Sequence, residues 1–299
     1  MNDLTAESQQ VAYQHNKIPA CLYVVATPIG NLGDFSERAK LILEKVDWIA
    51  AEDTRHTQKL LSAFGLRRPL MALHQHNEDQ RSQQLIALLQ EGKSLALVSD
   101  AGTPLISDPG FPLVRAVRAA GFDVVPIPGA CALIAALSAS GLPTDEFYFA
   151  GFLPAKALAR EQRLQGLVRM SATLAFYESP HRLLPSLQAL ATTLGGERQM
   201  CLARELTKRY ETFLSGSIEQ VLAQVEADPQ QQKGEFVLLI EGAKQQDQDQ
   251  AWDEACRWML ALQQEMAPSQ AAALVARMTG VKKKPLYQWF LQQGDEKKA

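Results

Sequence analysis

The first half of the chain alternates between short apolar runs and longer amphipathic segments. Five apolar runs have the length and composition of buried strands, and they cover residues 22–26, 48–51, 69–73, 95–99 and 124–127. Segments with helical spacing lie between them, such as residues 36–45, where Ser36 is in position to cap the helix. This alternation predicts an α/β fold with a mostly parallel sheet.

A second α/β unit is predicted from residue 143 onward. Its strands are predicted at residues 147–152, 173–177, 200–204, 210–215 and 235–240, and its helices at 160–170, 183–194 and 218–227. Two of these strands follow each other closely, and the second ends in a tight turn at Gly216. We therefore expect more antiparallel pairing here than in the first unit.

These patterns divide the chain into five parts. Residues 1–20 are polar and are predicted to be a disordered tail, followed by an N-terminal α/β domain at 21–142 and a C-terminal α/β domain at 143–242. Residues 243–250 are rich in Gln and Asp and are predicted to be a linker. Residues 251–299 are predicted to form a helical, helix-turn-helix-like module.

The composition indicates where the protein is located but leaves its binding partner open. The first 20 residues lack the apolar stretch of a signal peptide, and no apolar run is long enough to cross a membrane. The four cysteines lie far apart without a CxxC pair, which argues against a metal site and against disulfides. We therefore expect a cytoplasmic protein that holds no metal and binds no membrane. The net charge is −3, so RNA binding would require a local concentration of positive charge.

The loop at residues 98–110 is the richest in candidate chemistry. It contains glycines, which let a ligand approach the backbone closely, and prolines, which restrict the shape of the loop. Asp100 comes directly after the fourth predicted strand, where its carboxylate can pair with an ammonium group of a ligand. A turn in which Asp100 only accepts backbone hydrogen bonds explains the same residues equally well.

Two further loops follow predicted strands in the same way. Residues 27–34 do not have the GxGxxG pattern of a dinucleotide-binding loop. Residues 126–132 open a helix rich in small residues, whose free N–H groups suit a carboxylate. Ligands of parallel sheets bind outside the carboxyl ends of the strands, so the three loops together predict one small-molecule pocket.

Five strings between residues 22 and 242 resemble a known family; they are ATPIGNLGD, AAEDTRHTQKLL, VSDAGTPLISDPG, PIPGACALIAALSASGLP and FYESPHR. They are similar to the tetrapyrrole-methylase superfamily and, within it, to the ribosomal RNA small subunit methyltransferase I family. The resemblance implies two α/β domains of the tetrapyrrole-methylase type (class III S-adenosylmethionine methyltransferases) with a small C-terminal helical module. It also implies a homodimer that uses S-adenosylmethionine, without a metal, to methylate the ribose 2′-oxygen of a cytidine in the decoding region of 16S rRNA, within the 30S subunit.

Carried over motif by motif, the resemblance assigns cofactor binding to Pro28, Asp100, Gly102, Thr103, Ile106, Ala130, Cys131, Tyr177 and Arg204. The residues of the DAGTP loop are expected around the methionine end of the cofactor. Tyr177 and Arg204 are expected to line its adenosine side.

Charged residues near the strand ends are the candidates for catalysis and for RNA binding. Glu52, Arg55 and His181 are predicted to place the ribose and its phosphates. The candidates for a general base are Glu52, Asp53, His56, His181 and Glu205. The predicted RNA-binding residues are Arg55, Lys59, Arg182, Lys282, Lys283 and Lys284. Arg55 and Lys59 are four residues apart on one helical face, where both can meet phosphate. A helix cap at residues 52–54 and a solvated lysine run are the alternatives.

Three functions remain open from the sequence. The first is ribose methylation of 16S rRNA, the second is methylation of a tetrapyrrole by an enzyme of the same fold, and the third is non-catalytic RNA binding in ribosome assembly. The lysines near the C-terminus favour RNA over a tetrapyrrole. The predicted pocket favours an enzyme over a protein that only binds.

Overall fold

A computed structural model describes residues 18–74, 77–262 and 265–296, without the side chains of 245–250 and 293–296. The chain divides into two compact units. The first contains the residues up to Ala135 together with Glu205–Glu211, and the second contains Ala136–Arg204 and the residues from Thr212 onward. None of the described helices has the length and hydropathy needed to cross a membrane.

The first unit is built on a five-stranded sheet in the order β3-β2-β4-β1-β5. Its strands are β1 (Leu22–Val25), β2 (Trp48–Ala51), β3 (Leu70–Ala72), β4 (Leu95–Val98) and β5 (Val124–Ile127). Every pair is parallel, as predicted from the alternation of strands and helices. The loops that follow β4, β1 and β5 therefore leave the sheet from three neighbouring strands.

Five helices connect these strands and continue the chain: α1 (Glu37–Lys45), α2 (Thr54–Ala63), α3 (Glu78–Gln90), α4 (Phe111–Ala119) and α5 (Ala132–Ala139). The side chain of Ser36 caps α1, as predicted. Because alternate strand residues point to opposite faces, Tyr23 and Val25 pack on one core while Leu22 packs on another. The sheet is thus buried on two faces, which explains why its strands are continuously apolar.

The beginning of the described chain differs from the prediction. Residues 1–17 of the predicted tail lie outside the described residues. Ile18 is 2% exposed and packs in the core with Tyr23 and Val25. The tail therefore ends before residue 20, because an apolar side chain next to β1 gains more from burial than from solvent.

The second unit has a mixed five-stranded sheet in the order β6-β7-β10-β8-β9. Its strands are β6 (Phe147–Phe152), β7 (Thr173–Glu178), β8 (Gln199–Arg204), β9 (Thr212–Ser217) and β10 (Phe236–Ile240). Only β6 and β7 are parallel, and the other three pairs are antiparallel. The predicted antiparallel character is confirmed.

One face of this sheet packs against helices α6 (Ala157–Gln165), α7 (Leu183–Leu194) and α8 (Ile218–Ala227). The core contains Phe176, Leu202 and Leu238, which lie opposite one another on neighbouring strands. Ser217 and Gln220 form a capping box at the start of α8. Both features follow from the alternation and capping patterns of the sequence.

Three helices complete the chain: α9 (Gln245–Leu262), α10 (Pro268–Thr279) and α11 (Lys283–Glu296). They share a small core that includes Ala255, Met259, Val275 and Leu286. The linker predicted at 243–250 is wrong over most of its length, because α9 begins at Gln245. Gln is a good helix former, and acidic residues are favourable in a first helical turn, so a polar composition fits an exposed helix end as well as a linker.

Candidate functional site

The loops after β1, β4 and β5 are joined by hydrogen bonds at the carboxyl edge of the first sheet. The amide of Thr27 donates to the carbonyl of Gly102 at 2.8 Å, and the amide of Gly102 donates to the carbonyl of Thr27 at 3.1 Å. The hydroxyl of Thr103 donates to the carbonyl of Ala130 at 3.0 Å. The structure therefore brings the three predicted loops together.

Glycine is required where these loops approach one another. Gly102 has φ of +83°, and a Cβ there would lie 3.2 Å from Cγ2 of Ile29. A Cβ on Gly129 would lie 2.9 Å from Cβ of Ala26, closer than real Cβ atoms approach. Both a left-handed backbone and a close approach thus exclude larger residues here.

The backbone next to Gly102 is strained at two residues that are not glycine. Leu105 and Ser107 have φ of +73° and +74°, on either side of Ile106. Such conformations cost roughly 1–3 kcal/mol each and are concentrated at ligand-binding and active sites. The strain supports a functional reading of the loop that contains Asp100, Thr103 and Ile106.

Four carboxyl groups lie close enough at this edge to affect one another's ionisation. Burial raises the pKa of Glu52, and the charges of Asp100, Asp108 and Asp53 raise it further. Burial raises the pKa of Asp108 to about 6; a hydrogen bond with Ser99 opposes the rise, and the charge of Asp100 adds to it. This concentration of negative charge would be stabilised by a cation.

Asp53 and Arg55 begin helix α2 beside these carboxyl groups. The side chain of Asp53 caps the helix by accepting from the amide of Arg55 at 2.8 Å. The guanidinium of Arg55 pairs with the same carboxylate at 2.8 Å, and this hydrogen bond is the main reason that the pKa of Asp53 lies well below its usual range. The cap accounts for Asp53, whereas Arg55 and Lys59 remain exposed to solvent.

A segment distant in sequence also belongs to the first unit. Residues Glu205–Glu211, between β8 and β9, group with the residues before Ala136. The side chain of Lys208 lies directly against Gly30 in the loop after β1 and pairs with Glu205 at 2.8 Å. Sequence reasoning missed Lys208, because no periodicity links a loop of the second sheet to the first unit.

The second unit does not bring Tyr177 and Arg204 together. Tyr177 on β7, Val237 on β10 and Ala203 on β8 form one row across the sheet. The neighbouring row contains Glu178, Phe236 and Arg204. Residues opposite one another share a face, so Tyr177 and Arg204 lie on opposite faces. That both line the adenosine side of the cofactor stays a prediction. Arg204 is 7% exposed and donates through Nε to the carbonyl of Lys233.

His181 and Arg182, also in the second unit, differ in their surroundings. His181 is exposed. Arg182 pairs through Nε with the buried carboxylate of Glu178 at 3.1 Å, donates to the carbonyl of Leu153 and lies over the ring of Phe152. These contacts fix the position of the guanidinium, whose side chain is 28% exposed, and an RNA contact by Arg182 stays a prediction.

The remaining predicted residues are accessible in their own units. Pro28, Ala130 and Cys131 are half-buried, and Lys282, Lys283 and Lys284 are exposed. Helix α11 begins at Lys283, where positive charge is unfavourable for the helix dipole. The lysines therefore do not stabilise the helix end. Within the described parts of the chain, no three His, Cys, Asp or Glu side chains are placed to hold a metal ion.

Comparisons with known proteins identify the family of the chain. A family model for tetrapyrrole (corrin/porphyrin) methylases matches residues 21–222, and a model for the RsmI C-terminal HTH domain matches residues 249–294. The chain is 55% identical to "Ribosomal RNA small subunit methyltransferase I" of Xylella fastidiosa strain Temecula1, over 90% of this chain and 98% of that protein. It is 50% identical to the protein of the same name from Pasteurella multocida, over 93% of this chain and 99% of that protein.

Solved structures share the fold at much lower identity. Uroporphyrin-III-C-methyltransferase from Thermus thermophilus superposes with a TM-score of 0.51 at 21% identity, covering 74% of this chain and 93% of that chain. At this identity the likeness concerns the fold alone.

Proposed function

The chain belongs to the tetrapyrrole methylase family and, within it, to the ribosomal RNA small subunit methyltransferase I family, and from this premise we propose that it methylates 16S rRNA with S-adenosylmethionine. We propose further that the acceptor is the ribose 2′-oxygen of a cytidine in the decoding region, that the substrate is the rRNA within the 30S subunit, and that the enzyme is a homodimer in the cytoplasm. These finer points rest on the motif resemblance. The names of the relatives support small-subunit rRNA as the substrate.

The single observation that carries the proposal is the joined set of three loops with its carboxyl groups. S-adenosylmethionine has a sulfonium, an ammonium and a carboxylate, and when bound it supplies an activated methyl group. The residues present fit such a group. Burial, and to a smaller extent the neighbouring charge of Asp100, raises the pKa of Glu52 and of Asp108, so a cation beside these groups would stabilise their charged forms.

The loop backbone supplies the remaining contacts in this proposal. Gly102 permits the left-handed backbone of this loop and its close approach to Ile29, which a Cβ would meet at 3.2 Å. Thr103 fixes the loop by donating to Ala130, so the loop is ordered before a ligand binds. We assign Pro28, Ile106, Ala130 and Cys131 to the same cofactor site. Tyr177 and Arg204 remain proposed contacts of the cofactor.

We propose that alignment of the ribose with the methyl donor supplies most of the rate enhancement. General-base catalysis contributes typically about 10²- to 10⁴-fold, while alignment of two reactants supplies roughly 7–11 kcal/mol. Glu52 has a raised pKa and can accept a proton from the ribose hydroxyl, but a base is not essential for an activated methyl donor. Arg55 and His181 are proposed to position the ribose and its phosphates.

Positive charge outside the cofactor site is proposed to hold the RNA. Lys282, Lys283 and Lys284 are exposed at a helix start where they gain nothing from the dipole. Phosphate contacts by such side chains would explain how a chain with net charge −3 binds a polyanion. Arg55 and Lys59 add a second exposed pair on helix α2.

Methyl transfer from tritiated S-adenosylmethionine tests the proposal. The purified protein is incubated with 30S particles, with naked 16S rRNA and with a porphyrinoid of the uroporphyrin type. We expect label in the rRNA of 30S particles and none in the porphyrinoid. Label in the porphyrinoid alone would favour a tetrapyrrole methylase. Binding to 30S particles without any transfer would favour a non-catalytic assembly protein.

A further inference from the structure

A groove of about 510 Å³ lies on the first unit, and its lining includes none of the residues that join the three loops. Its lining combines residues of helix α2 with residues at and just before edge strand β3: Thr54, Arg55, Gln58, Arg68 and Leu70. We call it the α2–β3 groove. Two arginines and two hydrogen-bonding side chains face it, and none of its lining residues is acidic.

The sequence around the groove is locally basic. Residues 54–73 contain Arg55, Lys59, Arg67 and Arg68 and no Asp or Glu, in a chain where acidic residues outnumber Lys and Arg by 33 to 30. Such an acid-free segment concentrates positive charge on one part of an otherwise acidic protein. This is the local positive charge that RNA binding requires of this chain.

Arg68 has hydrogen-bonding capacity left over in the described structure. Its Nη1 donates to the carbonyl of Arg67 at 3.2 Å. Its Nε is buried and has no hydrogen-bond partner among the described residues. Burial keeps Nε itself out of reach of a ligand, but Arg68 as a whole is only half-buried and lines the groove, so a ligand there would meet the other donors of this guanidinium.

Arg55 can share a ligand with Arg68. Its ion pair with Asp53 joins an arginine side chain that is 87% exposed to a carboxylate that is 34% exposed, and such exposed pairs are weak. A second anion can therefore approach Arg55 at little cost. The charge of Asp53 balances that of Arg55, so the charge of Arg68 makes the groove positive overall.

We propose that the α2–β3 groove binds a backbone phosphate of the RNA substrate, with Arg68 and Arg55 as its cationic contacts and Thr54 and Gln58 as hydrogen-bond donors. Paired guanidinium groups suit the several acceptor oxygens of a phosphodiester. This inference deepens the proposed function, since it rests on RNA as the substrate. It adds Arg68, which the sequence did not single out.

The test compares Arg68→Ala with Arg67→Ala in the full-length protein. Both variants remove one arginine from adjacent positions, but only Arg68 lines the groove. Binding to 16S rRNA is measured from low to high salt, and log K is plotted against log salt concentration. One lost phosphate contact lowers the slope by about 0.7 on single strands to about 0.9 on duplex. We expect this loss for Arg68→Ala and a smaller change for Arg67→Ala.

Further measurements separate the possible explanations. Arg68→Lys should keep the slope, because it keeps the charge, while the affinity falls, because the fork of donors is lost. Methylation assays on RNA should show the Arg68→Ala defect as a raised KM. Equal slopes for Arg68→Ala and the parent would overturn the proposal. Equal losses of slope for Arg67→Ala and Arg68→Ala would also overturn it, because they would indicate an effect of diffuse charge. A change of oligomeric state in Arg68→Ala would overturn it as well, because it would indicate a contact between copies of the chain.

The slope measures binding alone, so the two proposals fail separately. If the parent transfers no methyl group to rRNA, the proposed function is wrong, and the slope comparison still decides whether the groove contacts nucleic acid. If the parent methylates rRNA and Arg68→Ala binds with the parent's slope, only the groove assignment is wrong.

Discussion

The carboxylate of Asp100 accepts a hydrogen bond from the backbone amide of Asp53, with 3.1 Å between Oδ1 and N. Asp53 caps helix α2, so this bond ties the loop after β4 to the start of that helix. Asp100 therefore has a structural contact in addition to its proposed role at the cofactor. The two readings of Asp100 that the sequence left open are compatible.

Substitution of Asp100 by Asn separates its structural contact from its proposed role at the cofactor. Asp100→Asn keeps an acceptor oxygen for the amide of Asp53 but loses the negative charge. We expect near-parental stability and about tenfold or greater loss of affinity for S-adenosylhomocysteine, since hydrogen bonds to charged groups contribute about 1.5–3 kcal/mol. Calorimetric titration measures the affinity. An Asp100→Asn protein that binds with parental affinity would remove the charge of Asp100 from the cofactor site.

Alanine at Gly102 tests the close approach of the loops. Gly102 and Gly121 both have φ of +83°, but a Cβ on Gly121 would meet nothing within 4 Å. Gly121→Ala should cost about 1 kcal/mol through the left-handed backbone alone. Gly102→Ala should cost more in urea unfolding, because its Cβ also meets Ile29, and it should weaken cofactor binding. Equal costs and unchanged binding would show that the approach of the loops is not tight.

The raised pKa of Asp108 predicts a pH dependence of stability. Burial favours the protonated form, so the pKa is about 6 in the folded protein and 3.8 without the fold. The folded state then binds more protons than the unfolded state between these values, and stability falls as pH rises from about 4 to about 6. Asp108→Asn removes this loss. We expect the variant to be more stable than the parent at pH 8 and equally stable near pH 4.

Urea unfolding of both proteins across this pH range checks the sign. Asn at position 108 keeps a group that can bond to Ser99, so the comparison isolates the charge. A stability difference that is the same at pH 4 and pH 8, or that grows toward low pH, would contradict the assignment of a raised pKa to Asp108.

The lysines at the start of α11 provide a prediction about RNA affinity. The triple change of Lys282, Lys283 and Lys284 to alanine should lower the slope of log K against log salt by roughly two to three units, at about 0.7–0.9 for each contact. Cofactor affinity should not change. Because the three side chains are exposed, the fold of the module should remain intact. A parental slope in this variant would leave these lysines as solvated charges.

The strands and their loops could be predicted because their signals are local. The run at Leu95–Val98 is buried on both faces, and such a run is continuously apolar whatever surrounds it. The loop with Asp100 and Gly102 follows that strand directly, so its place at the sheet edge also follows from the sequence.

The features that the sequence did not predict depend on contacts or strand pairing that a single stretch of sequence does not reveal. The face on which Arg204 lies is set by the register of β8 against β10, and a shift of one residue would reverse it. The contact of Lys208 with Gly30 joins segments far apart in the chain. Helix α9 begins at Gln245 in a stretch whose polar composition fits helix and linker alike. Arg68 gains interest only from its burial and its position in the groove.

The position of the transferred methyl group decides whether the protein methylates a ribose of the small-subunit rRNA. After reaction of the purified protein with labelled S-adenosylmethionine and 30S particles, the rRNA is digested to nucleosides and separated. We predict label in a single product, 2′-O-methylcytidine, with Asp100→Asn reducing its yield. Label on a nucleobase, or no label in rRNA while a porphyrinoid is methylated, would contradict it.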